Sequence, residues 1–201
     1  IDLHIRGMEA LGATVTLEEG YVTAAAPAGG LRGARVSFEL SSVGATGNVL
    51  MAACLARGET VIENAAREPE MVALAEFLRA AGARISGHGT RTIHVEGVSS
   101  LHPVEFENIP DRIEAGTYLA AAAITGGDVR LRGARAGDLE AVLSTLGAMG
   151  VAVEVEPGGL RVIAGPRVPE AGSARAAAPA AGETPRLRSV DFATEPHPGF
   201  P

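Results

Sequence analysis

The sequence predicts an α/β fold built from repeated units, and three observations carry that prediction. Gly82 and Gly150, which close equivalent helical stretches, stand 68 residues apart, and Val61 and Val129, which open equivalent strands, share that spacing. Within each period, stretches of helical apolar periodicity alternate with stretches of period two. The helical stretches are rich in alanine and apolar on nearly every side, as helices buried among neighbours are. A period of this length exceeds a short solenoid unit. Each unit reads as helix, hairpin, strand, helix and strand, close to a small α/β subdomain. Three sheet-and-helix units packed about internal helices are expected, with the first and last incomplete.

The elements follow in order. Leu3 to Leu11 reads as a helix with Asp2 as its N-cap and Gly12 as its stop. Thr14 to Leu17 and Tyr21 to Ala24 alternate around Glu18-Glu19-Gly20, which predicts a hairpin. Pro27 to Gly33 is a loop, and Arg35 to Glu39 a strand. The stretch Leu40-Ser41-Ser42-Val43-Gly44-Ala45-Thr46 then opens the small-residue helix Gly47 to Ala56, which Gly58 ends. Thr60 to Asn64 is the next strand. The second round runs through a helix from Glu70 to Ala81 started by Pro69, and a hairpin of Ala83 to Ser86 with Thr92 to Glu96. It continues with a strand at Val104 to Phe106, a helix from Arg112 to Thr125 and a strand at Val129 to Leu131. The third has a helix from Asp138 to Met149 and a hairpin of Val151 to Val155 with Leu160 to Ile163.

Residues 166–186 break the pattern with Ala, Gly, Ser and Pro, a composition that buries no core and reads as a flexible surface loop. Leu187 to Phe192 recovers strand character. Pro196 to Pro201 reads as a rigid extended segment that starts an interdomain linker. Residues 1–201 are thus expected to form part of a single domain. The first residue is Ile1, and both ends look cut from a longer chain.

Composition narrows the function classes. The net charge is −7, no basic stripe is present, and all 17 basic residues are arginine, so nucleic acid is not the expected partner. The single Cys54 allows no disulfide within the chain, and a cytoplasmic setting is the default. No apolar run approaches membrane-spanning length, and no signal peptide is expected. Cys54 lies inside an apolar helix and reads as a small buried hydrophobe. His4, His88, His94, His102 and His197 include no pair at helical metal-ligand spacing, so no metal site is expected. His88 and His94, in or near a hairpin turn, are expected to be solvated. Glu63, Arg67, Glu68 and Glu70 read as acidic residues favouring the helix that follows Pro69, or as a polar loop at a cleft edge. Asp111, Arg112 and Glu114 form a similar helix start with a local ion pair.

The stretch from Leu40 to Thr46 differs in kind. One helix needs one N-cap, yet Ser41, Ser42, Gly44 and Thr46 crowd the same entrance. In the 68-residue register, Ser41-Ser42-Val43 falls on Ile109-Pro110-Asp111, which caps without offering an anion a seat. The residues alone leave ligand binding at Ser41 to Gly44 and simple capping as equal readings. Asp2 has the same pair of readings: cap, or acceptor for a ligand N–H.

Longer motifs shift the balance by resemblance. Ile1-Asp2-Leu3-His4-Ile5, Leu17-Glu18-Glu19-Gly20-Tyr21-Val22, Ser42-Val43-Gly44-Ala45-Thr46 and the run Ile62 to Glu70 resemble the UDP-N-acetylglucosamine 1-carboxyvinyltransferase family. Pro110-Asp111-Arg112-Ile113-Glu114-Ala115-Gly116-Thr117 and Pro196-His197-Pro198-Gly199-Phe200-Pro201 extend the resemblance in the family's order, over nearly the whole chain except 166–186. The resemblance implies an inside-out α/β barrel of three similar units, one of two domains in the whole enzyme. It implies transfer of enolpyruvyl from phosphoenolpyruvate to the 3-hydroxyl of UDP-N-acetylglucosamine with release of phosphate, through a tetrahedral intermediate. That reaction is the first committed step of peptidoglycan synthesis. It implies no cofactor and no metal, and as partners the two substrates and the second domain of the same polypeptide.

Family roles then fall on particular residues. Ile1, Asp2 and Leu3 match the segment that contacts uridine, with Asp2 at the uracil edge. Leu40, Ser41, Ser42 and Val43 match the segment that contacts the nucleotide and amino sugar, with Gly44 beside it. Leu40 stands where some members carry lysine, so only backbone contact carries over there. The family's reactive cysteine and a Lys-Asn pair fall upstream of Ile1, and its Asp base and phosphate-binding arginines downstream of Pro201. No catalytic residue is therefore expected within the chain, and the chain alone is expected to be inactive. Two further readings stand beside this one: a related transferase acting on shikimate phosphate, and a non-catalytic nucleotide-sugar binding module.

Overall fold

The computed structural model describes residues 1–164, 187–194 and 197. The loop expected at 166–186 and all of the expected linker except His197 lie outside them. The chain divides into two compact units, Ile1–Ile109 and Pro110–Pro201, and the single-domain reading of the sequence stands beside that division.

The first unit runs α1 (Asp2–Ala10), β1 (Thr14–Glu18), β2 (Tyr21–Ala25), β3 (Arg35–Ser37), α2 (Val43–Ala53), β4 (Glu59–Glu63), α3 (Pro69–Ala80), β5 (Arg84–Ser86) and β6 (Thr92–Glu96). Strands β1 and β2 form an antiparallel hairpin with Leu17 opposite Val22. The four-stranded sheet has the order β3-β4-β6-β5. Strands β3 and β4 are parallel, which requires a crossover, and α2 supplies it. Leu11, Val36, Phe38, Leu50, Ile62, Ile93 and Val95 form one buried core. This apolar burial is the main stabilising term of the unit.

The second unit runs α4 (Arg112–Thr125), β7 (Asp128–Arg132), a 3-10 turn at Ala136–Asp138, α5 (Glu140–Ala148), β8 (Ala152–Glu156) and β9 (Gly159–Ile163). Its sheet order is β7-β9-β8, around a core that includes Leu119, Leu146, Leu160 and Val162.

The repeat is present in atomic detail. Strand order β4-β6-β5 recurs as β7-β9-β8, and the pair Val61–His94 recurs 68 residues on as Val129–Val162. Three helices end alike on Gly12, Gly82 and Gly150, with φ of 91°, 104° and 93°. Only glycine takes that conformation without strain. Past each glycine, one amide closes on a carbonyl five residues back: Ala13 on Met8 at 3.0 Å, Ala83 on Leu78 and Val151 on Leu146 at 2.9 Å. That is the helix-ending bond of a glycine C-cap.

Two expected strands are absent. Val104–Phe106 and Leu187–Phe192 pair in no ladder among the described residues. They occupy matching places: His102 N donates to Ala81 O at 2.9 Å, and Arg188 N to Met149 O at 3.0 Å. Leu101 and Leu187 pack on the two cores, and Phe106 meets Phe77 edge to face at 5.6 Å. In the second unit Leu187 and Phe192 help line a cavity of about 420 Å³ between α4 and α5. The apolar residues that suggested strands instead anchor a crossing segment on a helix pair.

Candidate functional site

The entrance to α2 is fixed from both sides. Buried Phe38 follows β3; its N–H donates to Glu63 O at 3.2 Å, and its carbonyl accepts from Asn64 Nδ2 at 3.0 Å. Asn64 holds φ 52°, a left-handed conformation that asparagine tolerates better than most residues. Ser42 is the N-cap, with extended backbone, and its Oγ accepts from Ala45 N at 3.3 Å. The first two amides of α2, those of Val43 and Gly44, have no acceptor among the described residues.

Helix α4 supplies an internal comparison. Its N-cap is Asp111, whose Oδ1 accepts from Ile113 N at 2.8 Å and Glu114 N at 3.0 Å. The match is thus Ser42 with Asp111, one residue off the 68-residue register expected from the sequence. A cap is defined by which side chain reaches the third amide, and a uniform spacing does not see that. Asp111 fills with its own carboxylate the place that α2 leaves open. In addition, the first turns of α1, α3, α4 and α5 carry Asp2, Glu70, Glu114 and Glu140, whereas that of α2 carries no acid. The positive end of the α2 dipole is left for an outside anion. Asp111→Ala is expected to lower stability by about 1–2 kcal/mol and to fray the start of α4, read by thermal unfolding and amide exchange.

Helix α1 lies against α2 and brings the second candidate segment to the first. Arg6 pairs with Glu39 at 3.1 Å, and Asn48 Nδ2 donates to His4 Nδ1 at 2.8 Å. The His4 ring rests on Gly44, where a Cβ would stand 2.9 Å from Cε1 and 3.1 Å from Nε2. Gly44 lets the ring lie this close, and a Cβ there would push the ring aside. Ile1, Asp2, Leu40 and Gly44 are exposed, and Ser41, Ser42 and Val43 half-buried. Leu3 turns toward the core. Asp2 is not the N-cap: Ile1 takes that place and no side chain caps α1, because Asp2 already lies inside the first turn. Thr46 does not share the entrance either. It is fully buried, and its Oγ1 accepts from Ala66 N at 3.0 Å, tying the loop after β4 to α2. His4 and Asn48 were not singled out in the sequence; only the packing of α1 on α2 brings them to Gly44.

The remaining chemistry-bearing groups play structural parts. Cys54 is buried, and burial pushes its thiol up to about 11. Because that value exceeds its ordinary value of 9.0, the thiol contributes stability below pH 9 that is lost as pH rises through about 11. Cys54 is expected to resist alkylation at neutral pH until the unit unfolds, read as labelling rate against denaturant. His88 is not solvated as expected: its side chain is 15% exposed, and Nε2 lies 2.6 Å from Glu76 Oε1. That bond, with Arg79 nearby, holds the Glu76 carboxyl below its usual range. His94 is half exposed and lies 3.2 Å from Glu59. Among the described residues, no three His, Cys, Asp or Glu gather to hold a metal ion, and no helix is long and apolar enough to cross a membrane.

Comparison with known proteins bears on this ledge. The family model described as EPSP synthase (3-phosphoshikimate 1-carboxyvinyltransferase) matches residues 1–201. The chain is similar to the UDP-N-acetylglucosamine 1-carboxyvinyltransferase of Zymomonas mobilis, at 51% identity over 201 residues. It is 50% identical to the protein of that name from Paracoccus denitrificans. Both alignments take in 100% of this chain and 43% of the relative, so the chain spans well under half the length of these relatives. Among solved structures, the enolpyruvyl transferase NikO of Streptomyces tendae superposes with a TM-score of 0.69 at 24% identity, over 81% of this chain and 41% of that one. An EPSP synthase of Acinetobacter baumannii superposes at 0.54 and 26%, over 81% and 38%.

Proposed function

The chain belongs to the EPSP synthase family, and from that premise we propose that it is part of a UDP-N-acetylglucosamine 1-carboxyvinyltransferase. The whole polypeptide would move enolpyruvyl from phosphoenolpyruvate to the 3-hydroxyl of UDP-N-acetylglucosamine and release phosphate, a cytoplasmic step toward peptidoglycan. The observation that carries the reading is the 51% identity over all 201 residues to a relative of that name. The geometry of the α2 entrance supports it. Ile1, Asp2 and Leu3 would meet the uridine, and Leu40, Ser41, Ser42, Val43 and Gly44 the diphosphate and amino sugar. The two open amides of α2 suit an anion, since backbone N–H groups at a helix start and the helix dipole act together there. Leu40, 74% exposed, brings no charge, so backbone donors carry the contact. We infer further that the repeated units belong to an inside-out α/β barrel in the longer enzyme.

The shikimate reading keeps one observation in its favour, the description of the matching family model. Titration calorimetry of the 201-residue chain separates the two. Heat with UDP-N-acetylglucosamine and none with shikimate 3-phosphate supports the proposal, and the reverse result replaces it. Binding by the longer polypeptide without phosphate release from the substrate pair would favour the binding-module reading instead.

A further inference from the structure

We infer that Asn48 is a positioning residue that presents His4 Nε2–H to the anion seat at Gly44, where it meets a phosphate oxygen of a nucleoside diphosphate. The inference rests on the nucleotide-sugar reading above.

With the Asn48 amide turned as it is here, its hydrogen bond to His4 has one sense. An asparagine amide nitrogen donates and never accepts. Asn48 Nδ2 stands 2.8 Å from His4 Nδ1, so Nδ1 accepts. In the neutral ring the proton then sits on Nε2. That nitrogen lies against Gly44, 3.1 Å from where a Cβ would be. The Gly44 amide is among the two that Ser42 leaves without an acceptor. The His4 ring and the Gly44 amide thus belong to neighbouring groups at the positive end of α2. A phosphate oxygen accepts from both kinds of donor, and such charge-assisted bonds are the stronger ones.

Asn48 acts through His4 rather than on the ligand. It reaches the ring from one turn further along α2, and α1 is held separately by Leu11 in the core and Leu3 packed against it. Losing Asn48 would free the ring to take either tautomer and to turn away from Gly44. The chemistry asked of the ligand is narrow: an anionic, multi-oxygen acceptor, with the nucleoside carried by the neighbouring start of α1. Uridine, which lacks phosphate, would gain nothing from His4.

The experiment uses the whole chain, with UDP as probe and uridine as control. Ring nitrogen NMR reports the His4 tautomer. The free chain is expected to show the Nε2–H form, and UDP is expected to shift that resonance while uridine leaves it in place. Asn48→Leu is expected to mix the tautomers and weaken UDP about tenfold. A merely structural role for Asn48 would not move the tautomer. Where Asn48→Leu fails to fold, Asn48→Ser shortens the donor's reach and is read by the same two measurements. An Nδ1–H form in the free chain overturns the inference. So does UDP binding with an unmoved His4 resonance, or with unchanged affinity in the folded variant. Each leaves the nucleotide-sugar reading standing. No binding of UDP or UDP-N-acetylglucosamine by the wild-type chain overturns that reading and the inference together.

Discussion

Gly97→Ala is expected to be the most damaging single methyl that can be added to the first unit. A Cβ at residue 97 would stand 1.6 Å from Ala56 O, a backbone atom that cannot swing aside as a side chain can. The contact sits where the end of α2 is sealed to the end of β6. Gly97 N donates to Gly58 O at 3.0 Å, and Val98 N to Cys54 O at 2.8 Å. Separating the two backbones breaks both bonds and opens the core beside Cys54 and Val95, which are fully buried. Overpacking a tight site costs about 1–3 kcal/mol, and a rigid backbone clash belongs at or above the top of that range. Domain stabilities are only about 5–15 kcal/mol, so about a fifth or more of the total is at stake. At about 4–8 °C per kcal/mol, the melting transition should fall by at least roughly 12 °C. Gly137→Ala is the control: nothing lies within 4 Å of its Cβ position, and a change within about 0.5 kcal/mol is expected. Equal melting temperatures for the two variants would show that the seam at Gly97 yields.

Ser42→Leu has the largest expected effect on binding. The substitution removes the oxygen that caps Ala45 N at 3.3 Å, a loss of about 1 kcal/mol that leaves the unit folded. It also puts a branched apolar side chain beside the open amides of Val43 and Gly44, where an anion would otherwise sit. Affinity for UDP-N-acetylglucosamine is expected to fall at least tenfold, about 1.4 kcal/mol, in calorimetric titration. Ser42→Ala separates the two roles, since it loses the cap without filling the seat. Unchanged affinity in a folded Ser42→Leu chain would leave Ser42 as a cap alone.

The repeat was legible because its markers are local. Gly12, Gly82 and Gly150 close their helices with the same left-handed turn, a demand that one residue answers without reference to the rest of the fold. Ser42 and Asp111 are likewise read from side-chain oxygens placed three residues before an amide. The one-residue slip between those caps was not visible, since spacing counts residues and not hydrogen bonds. Val104–Phe106 and Leu187–Phe192 show the limit more clearly. Their apolar alternation fits a strand, but a strand exists only where an edge accepts it, and both segments lie along helices instead. His88 read as a solvated turn residue because nothing near it in sequence predicts the approach of Glu76.

The candidate site divides along the same line. The order of residues alone marked Leu40 to Gly44 as a helix start with more polar small residues than a cap requires, and it placed Ile1 to Leu3 beside them by resemblance. It could not say what each residue does once folded. Tertiary packing turned Thr46 inward to Ala66, left the amides of Val43 and Gly44 open, and explained Gly44 by the ring that lies on it. His4 and Asn48 are 44 positions apart, and only the contact of α1 with α2 brings them to 2.8 Å. Caps and turns are set within a few residues by backbone hydrogen bonding, and so can be read along the chain. A binding ledge is set by which faces of two helices meet, and that is decided by the burial of both against a common core.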